Sequence, residues 1–86
     1  MRLFIAGNAP NSRLARENLQ RLCQRLDGHE VKLEIVDVVK DPDSAVAHGI
    51  YVTPALQVIE PRPGALVFGN LSNLEALVSL FPEVIS

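Results

Sequence analysis

The sequence predicts a single α/β domain over residues 1–86, ordered strand, helix, strand, helix, strand, strand, helix, with a small mixed four-stranded sheet flanked by three helices. Three observations carry that reading. Short apolar runs closed by Gly, Asn or Pro recur at residues 2–6, 31–39, 55–59 and 65–68, as buried strands do. The first two are separated by a stretch of helical period, and strands joined through a helix must pair in parallel. Only Glu60 and the turn Pro61-Arg62-Pro63-Gly64 separate the last two, which makes them an antiparallel hairpin.

Arg2-Leu3-Phe4-Ile5-Ala6 reads as a buried strand ended by the Gly7-Asn8 turn. From Asn11 to Leu26, apolar Ala15, Leu19, Leu22, Cys23 and Leu26 form one stripe of an amphipathic helix. Asn11 or Ser12 is the expected N-cap and Gly28 the expected stop. Val31, Leu33 and Ile35 alternate with Lys32 and Glu34, giving a strand with that apolar side buried and both sides covered towards Val39. Asp41 caps a short helix that Pro42 begins and that ends near His48. Thr53-Pro54 opens the third strand, Ala55–Ile59, and its peptide bond is expected in the cis form. Ala65–Phe68 is the hairpin partner, and Gly69-Asn70 breaks it. Ser72 with Glu75 three residues on forms a capping-box pattern for a last helix carrying Leu74, Leu77, Val78 and Phe81, which Pro82 limits.

Eight Lys and Arg against ten Asp and Glu give a net charge of −2, which argues against a nucleic-acid partner. No apolar run reaches the ~18–20 residues of a membrane helix and no leader pattern is present, so no membrane role and a cytoplasmic location are expected. With one cysteine, neither an internal disulfide nor CxxC chemistry is open to the chain. Cys23 sits on the apolar stripe of the first helix and reads as a small buried hydrophobe. His29 and His48 stand apart without ligand spacing and read as solvated surface, so no metal and no cofactor are expected. Asp37, inside an apolar strand end, is expected to have a raised pKa through burial.

Taken together, the element order and the Thr53-Pro54 pair are those of a thioredoxin-like fold, in which the turn after the first strand would hold reactive thiols. Here that turn reads Gly7-Asn8-Ala9-Pro10-Asn11-Ser12 and contains no sulfur. Dithiol exchange needs a thiolate and a resolving thiol, so the chain is read as a non-enzyme. A thiol- or glutathione-binding enzyme lacking CxxC, built on Ser12, Cys23 or Asn8, is the alternative, and only the fold supports it.

The motifs resemble those of the KaiB family, thioredoxin-like proteins of the cyanobacterial circadian clock that lack catalytic cysteines. The matching pieces are Leu3–Ser12 (LFIAGNAPNS), Ile35–Pro42 (IVDVVKDP), Thr53–Leu56 (TPAL), Pro61–Pro63 (PRP) and Gly69–Asn73 (GNLSN). The resemblance implies a binding protein that docks on a KaiC-type ring ATPase and switches between two folds, a ground-state tetramer and a binding-competent thioredoxin-like monomer; for this chain a monomer or homodimer is expected, with the tetramer as the alternative assembly. It also implies that residues to about Ile50 keep their structure in both folds while residues 51–86 change. The expected partner-binding residues are Arg13, Arg16, Lys32, Glu34 and Tyr51. The expected fold-switch residues are Pro54, Pro61, Pro63, Gly69 and Asn70.

Departures from the clock members bear on that expectation. Leu14, Glu34 and Gly49 stand where basic residues are usual, Ala65-Leu66 replaces an arginine pair, and Asn70 replaces an aspartate. An acid at position 34 turns attraction for a partner's acidic group into repulsion. The expectation is therefore a divergent member, with a signalling or stress-response role outside the clock as one version of it. The thioredoxin-like state is expected to dominate: Gly69-Asn70 can tip the balance because both types tolerate left-handed backbone, and the resemblance implies that loss of the aspartate charge at this pair favours that state, with Ser72 and Glu75 supporting a helix beyond it.

Overall fold

The computed structural model describes residues 1–26, 32–59 and 64–81. It contains β1 (Arg2–Ile5), α1 (Pro10–Arg25), β2 (Glu34–Asp37), α2 (Pro42–Ala47), β3 (Ala55–Val58), β4 (Ala65–Phe68) and α3 (Leu74–Val78). The strands form one sheet in the order β2-β1-β3-β4. β1 pairs in parallel with β2 (Leu3 opposite Ile35) and antiparallel with β3 (Leu3 opposite Leu56), and β3 pairs antiparallel with β4. This is the mixed, thioredoxin-like α/β arrangement expected, and residues 65–68 are strand.

Side chains alternate across the sheet, so its two faces build separate cores. Leu3, Ile5, Leu56 and Val58 pack with Ala15, Leu19, Leu22 and Leu26 of α1 and Leu77 and Val78 of α3. On the other face Phe4, Val36 and Ala55 pack with Ala45 of α2 and Ile50.

Several local expectations are corrected. α1 begins one residue before Asn11: Pro10 takes the first helical position, where a missing N–H costs nothing, and Ala9 is the cap residue. Ser12 is buried inside the helix, and its Oγ accepts a hydrogen bond from Ala6 N at 3.0 Å, tying the end of β1 to α1. Gly28 lies outside the described residues. β2 is an edge strand with the reverse of the expected exposure: Leu33 and Ile35 are 43% and 46% exposed, Val36 is buried and Val39 exposed. Ile35 shares the face of its partner Leu3, beyond the cover of the helices. α2 is capped as expected, Asp41 Oδ1 accepting from Ser44 N at 3.2 Å. In α3 the cap is Asn73, whose Oδ1 accepts from Ala76 N at 3.2 Å, while Ser72 N donates to Asn70 Oδ1. Glu75 reaches Arg25 at 3.0 Å instead of closing a capping box.

Candidate interaction surface at the open end of the sheet

One end of the sheet gathers the sequence's distinctive loops. Because β3 runs against β1 and β2 runs with it, Gly7–Ala9, Val38–Asp41, Tyr51–Pro54 and Gly69–Ser72 all lie there. The Thr53-Pro54 peptide bond is cis, as expected, and the Pro54 carbonyl accepts a hydrogen bond from Gly69 N at 3.0 Å. Pro54 is buried, whereas Tyr51 and Val52 beside it stand 83% and 59% exposed.

Asp37 knits two of these loops together. Its Oδ1 accepts from Gly7 N and from Val39 N, each at 3.0 Å. The Gly7 amide first and the Val39 amide second hold its carboxyl below the ordinary aspartate value near 3.8, against a smaller opposing effect of burial; Lys40 and Arg16 add to the lowering. The expected raised pKa is thus reversed, because the carboxylate meets backbone donors rather than an apolar wall.

The last loop holds backbone with positive φ at Gly69, as expected, but at Leu71 in place of Asn70. Gly69 has φ +101° and Leu71 has φ +63°, while Asn70 between them does not. Leu71 is drawn into this conformation because its side chain is buried against α1 and α3. Asn70 instead acts through hydrogen bonds: its carbonyl accepts from Asn18 Nδ2 of α1 at 2.7 Å, and its Oδ1 accepts from Ser72 N. Behind the loop, a groove of about 350 Å³ runs between the end of β4 and Ala76, Leu77 and Leu80.

Among the expected binding residues, Arg13 and Arg16 are exposed on α1 and Lys32 is exposed just before β2. The α1 segment carries Arg13, Arg16, Arg21 and Arg25 against Glu17 alone. Arg25 is occupied by Glu75, and Arg21 donates to Asn18 Oδ1 at 3.1 Å. Arg13 and Arg16 make no ion pair among the described residues. Glu34 is exposed too, but it turns to Arg2, with Oε2 3.5 Å from Nε across the β1–β2 pair. Its charge is thus partly met within the chain. Pro61 and Pro63, like His29, lie outside the described residues. Cys23 is half-buried against the α1 core, and burial pushes its thiol pKa up, away from thiolate reactivity.

Sequence reasoning missed the contacts of His48. Its Nδ1 lies 2.8 Å from the Ser44 carbonyl, its Nε2 lies 2.9 Å from Arg2 Nη1, and its ring leans on Phe4. No described helix is long and apolar enough to cross a membrane.

Compared with known protein families, the chain matches the KaiB domain over residues 2–83. The chain belongs to the KaiB family. It is 37% identical over 78 residues to the circadian clock protein KaiB3 of Synechocystis sp., covering 91% of this chain and 76% of that one. It is 33% identical over 78 residues to the circadian clock oscillator proteins KaiB of Thermostichus vulcanus and Trichodesmium erythraeum, again over 91% of this chain and over 72% and 75% of theirs. These KaiB-family relatives are named as circadian clock proteins.

Proposed function

We propose that this KaiB-family chain is a non-catalytic protein-interaction module that docks on a KaiC-type ring ATPase or a related signalling protein through α1, β2 and the Tyr51–Pro54 rim. The observation that carries the reading is the exposure of Leu33 and Ile35 on the edge strand and of Tyr51 and Val52 at the rim, four of the large apolar side chains that this domain leaves uncovered. Exposed apolar groups of this kind, with charges nearby, mark docking sites. Arg13, Arg16 and Lys32 are the neighbouring cations; Arg16 is close enough to Asp37 to help keep it ionised. An acidic, apolar-centred partner surface matches them, and Glu34 selects against partners that place an acid opposite it.

The test is a pull-down against a KaiC homologue encoded with this chain, in each nucleotide state. Association weakened by Tyr51→Ala and by Arg16→Glu supports the reading. Association in no nucleotide state removes the KaiC-type partner, and association unaffected by either change removes the surface.

The chain's resting state is proposed to be the thioredoxin-like one, with Pro54, Pro61, Pro63, Gly69 and Asn70 setting the balance between folds. Two folds coexist only when their free energies lie within a few kcal/mol. The β3–β4 register and the Asn18–Asn70 bond support this state by fastening the 69–72 loop to α1. One set of backbone resonances with strand shifts at 65–68, in a monomer or dimer by light scattering, is expected. Helical shifts there, or a tetramer, would overturn it.

A further inference from the structure

The contacts of His48 favour one placement of its proton. The Ser44 carbonyl can only accept, so the hydrogen is on Nδ1; the Arg2 guanidinium can only donate, so Nε2 offers its lone pair. These contacts suit one tautomer of the ring, which packs on Phe4 with ring centroids 5.5 Å apart. Arg2 is not free to swing away. Its Nη1 also donates to Gln57 Oε1 at 3.1 Å, and its Nε, buried without a hydrogen-bond partner, faces Glu34 at ion-pair distance only.

We propose that His48 is a proton-sensitive latch that clips the end of α2 to β1 and opens when Nε2 takes up a proton. Protonation places two donors and two positive charges face to face at 2.9 Å, which converts the contact from attraction to repulsion. The Nδ1–H bond to Ser44 survives, and a cation is welcome at a helix C-terminus, so α2 keeps its fold and the packing of Ala45 on the sheet while losing this polar clip to β1. The surrounding charged groups are Arg2 and Glu34 on the sheet, and Asp41 and Asp43 at the far end of α2; β3 contributes the neutral Gln57. What the latch releases is the segment from Gly49 to Thr53, which leads from α2 into the exposed Tyr51–Val52 rim. The effect on binding rests on the function proposed above, but the latch itself does not, and its test uses no partner.

The experiment is a proton titration of the full chain followed by NMR of the imidazole nitrogens and the backbone amides. At neutral pH the His48 ring is expected to show the Nδ1–H tautomer. On acidification, the amides of Ser44–Val52 and the Arg2 side chain are expected to shift along the same curve as the His48 ring. His48→Gln, which accepts from Arg2 through Oε1 but gains no charge, is expected to abolish that shared curve; His29→Gln is expected to leave it intact. An Nε2–H tautomer, a ring that titrates without moving Ser44–Val52, or a shared curve that persists in His48→Gln would each overturn the proposal.

Discussion

The two faces of the sheet are built to different depths. One is roofed by the sixteen-residue α1 together with α3, and its buried residues come from four elements, the C-cap of α1 and the loop before α3. The other carries only the six-residue α2, which covers Phe4, Val36 and Ala55 but leaves Leu66 and Phe68 of β4 at 43% and 56% exposure. The deep face is where folding free energy resides. The shallow face can afford polar contacts that respond to conditions, and the His48–Arg2 contact lies there.

Truncating the deep face gives the largest expected effect. Leu19→Ala or Leu56→Ala should cost about 2–5 kcal/mol in urea unfolding, because the fully buried side chain leaves a cavity. Val36→Ala on the shallow face should cost roughly 1–2 kcal/mol, from two methyl groups at about 0.8 kcal/mol each. Equal losses would remove the distinction between the faces. At the hairpin, Gly64→Ala should destabilise more than Gly69→Ala. Both glycines have positive φ, but only at Gly64 would a Cβ meet a carbonyl, that of Val58, at 2.7 Å.

Asp37 sharpens the comparison through pH. A carboxylate whose folded pKa is depressed contributes stability that is fully present above the ordinary value near 3.8 and is lost as pH falls through the lower folded value. Urea midpoints should therefore fall across that acidic window, and Asp37→Asn should flatten part of the decline. A smaller effect is expected at α3, where Asn73→Ala should cost about 1 kcal/mol and Ser72→Ala much less, since Asn73 holds the cap.

Much of this was legible from residue order. Seven elements, the β1–β2 and β3–β4 pairings and the break at Gly69 follow from periodicity and turn chemistry, whereas the β1–β3 pairing does not. What periodicity cannot supply is lateral position. The alternation of Leu33 and Ile35 shows two sides to β2, but which side is covered depends on how far α1 and α3 extend over an edge strand. Caps failed for a related reason. Ser12 and Ser72 are as good as Asn73 in isolation, and only Pro10 at the first position of α1 and the buried Leu71 decide which residue stands at the boundary. His48 is exposed, as its place at the end of a short helix suggests, but its contact with Arg2, 46 positions away, lies beyond any local pattern. The interaction surface was legible as residue types, yet the turn of Glu34 towards Arg2 required the strand register.

The placement of β1 in the interior of the sheet has a consequence for synthesis. The strand made first is flanked on one side by β2 and on the other by β3, which is translated some fifty residues later. Until Ala55–Gln57 leave the ribosome, the growing chain presents the ladder of Arg2–Phe4 as a bare, apolar edge, the kind of template that recruits stray strands from neighbouring nascent chains.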